Sequence, residues 1–155
     1  MPTSTSFNIQ RLARNDLALM DGLLSMFGEA FDEVETYGAA RPGGSYMNGL
    51  LDSDTFVALV ALRDGVVIGG LAAYELRKFE RERSEFYIYD LAVAAAHRRQ
   101  GIATALIMAL KKIAATRGAW VVFVQADPVD APAVALYEKL GVREDVLHFD
   151  IAVEE

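Results

Sequence analysis

Apolar residues recur along the chain with two different periods, and the switches between them divide it into elements. Phe7–Leu12 reads as a short strand. Asn15-Asp16 offers a helix N-cap, after which Leu17, Met20, Leu23, Leu24 and Phe27 recur at three- and four-residue intervals up to Gly28. Glu29 to Tyr37 is acidic, with Phe31 and Val34, and predicts one or two further helical turns. Arg41-Pro42-Gly43-Gly44 breaks the chain before a short helix over Ser45–Leu51. Phe56–Leu62 and Val66–Leu76 are β-rich, and Asp64-Gly65 between them is a hairpin turn. In Glu85–Val93, Phe86, Ile88 and Asp90 alternate against Tyr87, Tyr89 and Leu91, a strand with two distinct faces.

Beyond a loop over Ala94–Gln100, Ile102, Leu106, Ile107, Leu110 and Ile113 form the stripe of a long helix that ends at Arg117-Gly118. Trp120–Gln125 is a continuous apolar run of the kind buried on both faces of a sheet. Pro132 suits the first turn of a helix carrying Val134, Leu136, Tyr137 and Leu140, with Gly141 at its end. Leu147–Val153 closes the pattern as a strand. The expected architecture is one α/β domain over residues 1–155, with a mixed, mostly antiparallel sheet flanked by helices and neither repeats nor a linker.

Composition narrows the chemistry. Zero cysteines remove disulfides, thiolate metal sites and an acyl-cysteine intermediate, and two histidines (His97 and His148) make a histidine metal cluster improbable. We therefore expect no metal. No long apolar run or charged-then-apolar leader is present, so the expectation is a cytoplasmic protein that enters no membrane. A net charge of −7 argues against nucleic acid or an anionic membrane as partner. That charge is uneven. Residues 28–54 carry six acids against Arg41, and residues 127–155 carry eight against Lys139 and Arg143. Arg77, Lys78, Arg81 and Arg83 read as a solvated loop, and the pair Arg98-Arg99 follows them.

Arg98-Arg99-Gln100-Gly101-Ile102-Ala103-Thr104 lies between a predicted strand and a predicted helix. Free N–H groups of a first helical turn and the positive end of the helix dipole suit a phosphate there. Gly101 and the small Ala103 permit close backbone approach, and the arginines neutralise charge. Neither a P-loop nor a G-x-G-x-x-G pattern is present. Taken alone, the same residues also describe an ordinary solvated loop.

A second segment changes that balance. Arg98-x-x-Gly101-x-Ala103 resembles the acyl-CoA diphosphate loop of the GNAT N-acetyltransferases. Asp130-Ala131-Pro132-Ala133-Val134-Ala135-Leu136-Tyr137-Glu138-Lys139-Leu140-Gly141-Val142 is similar to the family's second motif, usually Asn-x-x-Ala-x-x-Leu-Tyr-x-x-x-Gly-Phe. Asp130 stands where the family often has Asn, and Val142 where it has Phe. The likeness spans nearly the whole chain. Within the family, Phe86–Val93, Phe123–Asp127 and Gly141–Asp150 resemble bacterial aminoglycoside acetyltransferases that modify the 3-amino group of gentamicin-type drugs.

The resemblance implies an acyl-CoA N-acyltransferase fold whose central strand pair splays apart, and direct acetyl transfer from acetyl-CoA to an amine in a ternary complex. It places backbone groups of Leu91, Ala92 and Val93 on the pantetheine arm and residues Arg98 to Thr104 on the diphosphate. Asp130 and Ala133 join that cofactor set, and Tyr137 becomes the general acid. Taken alone, a tyrosine at helical spacing with Val134 and Leu140 is a core residue. A small polycationic amine is the implied acceptor, with Asp32, Glu33, Asp90, Asp127 and Asp150 as its carboxylate partners. Asp90, Asp127, Asp150, Glu29, Asp32, Glu33 and Glu35 all remain candidates for the base. His97 reads as a helper beside the loop or a surface residue. The family's frequent dimerisation implies a homodimer, with Leu147–Val153 either at that interface or internal. A polyamine, amino-acid or protein amine acceptor, or a non-catalytic acyl-CoA-binding role, are the rival readings.

Overall fold

The computed structural model describes residues 6–154 of the 155-residue chain, so Glu155 of the second acidic stretch lies outside the described residues. Its elements are β1 (Asn8–Arg11), α1 (Leu17–Ala30), α2 (Val34–Gly38), α3 (Gly44–Asp52), β2 (Phe56–Arg63), β3 (Val66–Arg77), β4 (Ser84–Val93), α4 (Ile102–Thr116), β5 (Ala119–Val124) and α5 (Ala131–Leu140). The chain divides into two compact units, the first ending at Gln125 and the second beginning at Ala126.

In the first unit the sheet runs β1-β2-β3-β4-β5. The β1/β2, β2/β3 and β3/β4 pairs are antiparallel, and β4/β5 is parallel. A parallel pair needs a crossover, which α4 supplies. Asp64 and Gly65 both take positive φ, 52° and 77°, as a two-residue hairpin turn demands, and Arg63 pairs with Val66 across it.

Adjacent glycines set how closely the helices sit on the sheet. A side chain at Gly70 would overlap Leu23 of α1, and one at Gly69 would meet Ile102 of α4 at 2.9 Å. Adjacent strand residues face opposite ways, so α1 covers the even face of β3 and α4 the odd face. β2, buried on both sides from Phe56 to Leu62, forms the centre of the core with Leu23, Phe27, Leu106 and Leu110. Gly70→Ala should lower stability by about 1–3 kcal/mol, because the fully buried Leu23 has no room to move. Gly49→Ala, where nothing lies within 4 Å, should be neutral or slightly stabilising. Urea unfolding midpoints compare the two.

Two strand expectations are corrected. β5 is not buried on both faces: it is the last strand of the sheet, and its residues are half-exposed. Leu147–Val153 forms no strand, since the chain from 142 to 152 carries no regular secondary structure. In the second unit α5 is the only helix among the described residues. Asp130 caps it by accepting from the Ala133 N–H at 3.3 Å, Pro132 lies in its first turn, and the Gly141 N–H closes it on the Tyr137 carbonyl at 2.9 Å.

Candidate active site

The site is built around a fault in one strand. Ile88 faces Ala73 and Asp90 faces Ala72, so Tyr89 is a surplus residue, a β-bulge. Before the bulge, Phe86 and Ile88 lie on the α4 face and are fully buried. A regular strand would put Asp90 there too. The bulge instead turns Asp90 to the α1 face, beside Ala72.

The same region is where β4 and β5 part. Their ladder ends at Ile88 and Val124, while β4 continues to Val93 paired with β3 alone. The Ala94 N–H bonds the Ile68 carbonyl at 2.8 Å, so by alternation the backbone groups of Leu91 and Val93 point away from β3. Those of Ala92 face Gly70 in the ladder. The Arg98 Nε–H donates to the Val93 carbonyl at 3.2 Å, tying the loop to this open edge.

Arg99 and Gly101 both take left-handed backbone angles, φ 63° and 79°, before α4 begins at Ile102. The first helical bond of α4 runs from the Ala105 N–H to the Gly101 carbonyl, which leaves the N–H groups of Ile102, Ala103 and Thr104 without helical acceptors. Ile102 is buried against Gly69 and anchors the turn. Arg63 braces the loop from below, donating to Gln100 at 2.8 Å and lying 2.9 Å from His97 Nδ1. His97 is thus a support for the loop.

On the α1 face a cavity of about 170 Å3 opens between α1, α3 and the sheet. Leu23, Phe27, Met47, Phe56, Tyr74 and Tyr89 are among its lining, and Asp90 is its only acid. The Tyr37 hydroxyl donates to Asp90 Oδ2 at 3.0 Å. Burial holds the Asp90 carboxyl above the ordinary carboxylate range. The Tyr37 hydrogen bond works in the opposite sense, and the nearby Glu33 charge adds to the rise. The Tyr37 phenol is pushed well up by burial and by Asp90, so it stays a donor. Its ring packs against Phe27 and Phe31 at 6.0 and 5.8 Å between centroids.

The chain matches the Acetyltransferase (GNAT) family over residues 21–142. It belongs to that family. Among solved structures, an aminoglycoside acetyltransferase from an uncultured soil metagenomic sample is 63% identical with a TM-score of 0.95, the alignment covering 96% of this chain and 99% of that one. Another soil metagenomic aminoglycoside acetyltransferase, solved with sisomicin, is 35% identical at a TM-score of 0.87, covering 96% and 97%. The probable N-acetyltransferase family 8 member 5 of Mus musculus is 27% identical over 61% of this chain. Streptothricin acetyltransferase of Streptomyces lavendulae is 32% identical over 58%. This chain spans less than half the length of either: the matches cover 41% and 44% of those proteins.

The remaining residues expected from the GNAT resemblance are distributed as follows. Asp32 is exposed, at a positive φ of 54°, and Glu33 precedes α2. In the second unit, Asp127 Oδ1 accepts from the Val129 N–H at 3.2 Å, and Asp150 lies 2.9 Å from His148 Nε2, both exposed. Burial and the Asp130 charge raise the Tyr137 phenol above its ordinary value. Glu29 and Glu35 are exposed. The basic loop is less solvated than expected, because Lys78 bridges Glu80 and Glu85 at 3.2 and 3.7 Å and Arg83 stacks 4.2 Å over Trp120. Tyr37 escaped sequence reasoning. It belongs to no motif, and its one signal is an aromatic residue four positions after Glu33 in the acidic segment.

Proposed function

We propose that the chain transfers the acetyl group of acetyl-CoA to an amine of an aminoglycoside, at the 3-amino group, by direct attack in a ternary complex. The observation that carries this reading is the β4 bulge. It aims one carboxylate into a cavity on the α1 face and is followed by an unpaired strand edge that runs to the α4 loop. The edge groups of Leu91 and Val93 take the amide groups of the pantetheine arm as a strand would. Arg98, Arg99 and Gln100, the backbone of Gly101 to Thr104 and the left-handed turns hold the diphosphate. Acetyl-CoA supplies an acetyl group on a good leaving thiolate. Asp90 takes the proton as the amine forms its C–N bond, and Tyr137 gives a proton to the sulfur as the C–S bond breaks. Asp32, Glu33, Asp127 and Asp150 are offered to the other ammonium groups of the acceptor. Asp130 acts through its cap on α5. The metagenomic relatives, 63% and 35% identical, support the acceptor class.

Thiol release from acetyl-CoA, measured with gentamicin, kanamycin, spermidine and lysine peptides, tests the acceptor. Release with aminoglycosides alone is expected, and NMR of the product locates the acetyl group. Release with spermidine or peptides only would replace the acceptor, and tight CoA binding without any release would remove the enzymatic reading. Gly101→Val should raise the acetyl-CoA KM at least tenfold and leave the acceptor KM nearly unchanged. A β-branched side chain strains a φ of 79° and covers the loop N–H groups.

A further inference from the structure

We infer that Arg41 is a positioning residue of the candidate site: it fastens α2 to α1 and so holds the Tyr37 hydroxyl on Asp90. Its Nε–H donates to the Tyr37 carbonyl at 2.9 Å and its Nη2 donates to the Ser25 hydroxyl of α1 at 2.8 Å, while Nη1 lies 3.7 Å from Asp21 Oδ1. Asp21 and Ser25 stand one turn apart on the same face of α1. The planar guanidinium thus joins the end of one helix to the side of another, a task that needs its rigid fork of donors. The catalytic consequence rests on the proposed role of Asp90 as base; the tie itself does not.

α2 requires such a tie. It has five residues, none of them buried, and a helix that short does not hold its own shape in water. Its backbone lies close against α1 at Gly28, where an added Cβ would stand 3.2 Å from Val34 Cα and 3.3 Å from Tyr37 Cβ. The Glu33 N–H bonds the Gly28 carbonyl at 2.8 Å and fixes the entry to α2. Arg41 fixes its exit. Packing on Phe27 and Phe31 holds the Tyr37 ring, and the bond to that residue's own carbonyl fixes the backbone that aims its hydroxyl at Asp90. Arg41 is also the one cation in residues 28–54, and left loose it would repel a polycationic acceptor. Its contacts turn it onto α1 and the end of α2, and it is absent from the cavity lining that the next residue, Pro42, joins.

Titration of the Asp90 carboxyl by carbon-detected NMR reads the tie without any turnover. The titratable groups around Asp90 are Glu33 and Tyr37 on the α2 side, Tyr74 of β3, and Tyr87 and Tyr89 of β4. α1 and α3 present only apolar side chains to the cavity. In the wild-type background Tyr37→Phe should raise the Asp90 pKa by roughly half a pH unit or more, because a bond to the ionised form is lost. In the Arg41→Met background the same change should move it by less than about half as much, the bond being already broken. The interaction is read rather than a single shift. Releasing α2 also lets water reach Asp90, which lowers its pKa and masks the lost bond. Circular dichroism should show a cooperative melt for Arg41→Met. If it does not, Ser25→Ala, at an exposed position of α1, takes its place under the same criterion. No rise in the wild-type background, or a rise of wild-type size in the variant background, overturns the inference. The acid limb of kcat/KM keeps the two readings apart. If Asp90 shows the coupling but the limb does not follow Asp90, the base is reassigned and Arg41 keeps its part in fastening α2. If the limb follows Asp90 without the coupling, the base stands and the tie does not.

Discussion

If Asp90 is the base of the proposed reaction, Asp90→Asn should lower kcat by about 100- to 10,000-fold while the acetyl-CoA KM changes less than about threefold. General-base catalysis by a positioned side chain contributes that range, and asparagine keeps the shape and the acceptor for the Tyr37 hydroxyl while losing the basic oxygen. The pH profile gives the assignment its signature. Burial raises the Asp90 pKa, so the acid limb of kcat/KM should lie above the usual carboxylate value near 4. The Tyr37 hydrogen bond favours the ionised form, and Tyr37→Phe should therefore move that limb to still higher pH. A merely structural Tyr37 would lower stability without moving the limb. Linkage supplies an independent check. A carboxyl with a raised folded pKa binds its proton more tightly in the folded state, so its contribution to stability is present at low pH and lost as pH rises through the folded pKa. Asp90→Asn removes that loss and should unfold no more easily than wild type at neutral pH. Unchanged kcat with chemistry shown to be rate-limiting, or an acid limb indifferent to both variants, would reassign the base.

Under the proposed general-acid role, Tyr137→Phe should lower kcat at least tenfold with CoA binding nearly intact. Burial and the neighbouring Asp130 charge keep the phenol protonated across the neutral range, which an acid requires at the start of each turnover. Calorimetric titration with CoA measures the binding, and rapid-quench kinetics measure the chemical step. The loss should shrink with acyl donors whose thiolate leaves more readily, because protonation then matters less. A core tyrosine would behave otherwise: its removal would alter the melting temperature and leave the donor dependence flat.

Local chemistry made much of this fold readable. The α4 stripe, the Asp64-Gly65 turn and the Gly101 loop each follow from residues within a few positions of one another. The unread parts depend on distant partners. Phe86, Ile88 and Asp90 form an unbroken alternation, and nothing in it signals that Tyr89 is surplus, because the count is set by pairing with Ala72 and Ala73 on β3. Trp120 to Val124 has the composition of a central strand, and composition does not say which strand ends a sheet. The alternation in Leu147–Val153 has the period of a strand, but a strand needs a ladder partner that alternation does not supply, and the segment carries no regular secondary structure. Among the candidate residues, the loop and Tyr137 stood out because they belong to contiguous motifs. The pairing of Tyr37 with Asp90 spans 53 residues and rests on where α2 lies over the sheet.

The surplus residue also sets which deletions β4 tolerates. If Tyr89 is removed, Asp90 follows Ile88 directly and still opposes Ala72, so every residue from Asp90 to Val93 keeps its present face. Loss of Leu91 instead leaves the strand one residue short. Either Ala92 and Val93 turn over, or the bulge straightens and Asp90 swings beneath α4. Removal of Tyr89 thus preserves both the count and the identity of every paired residue on which the two halves of the candidate site depend.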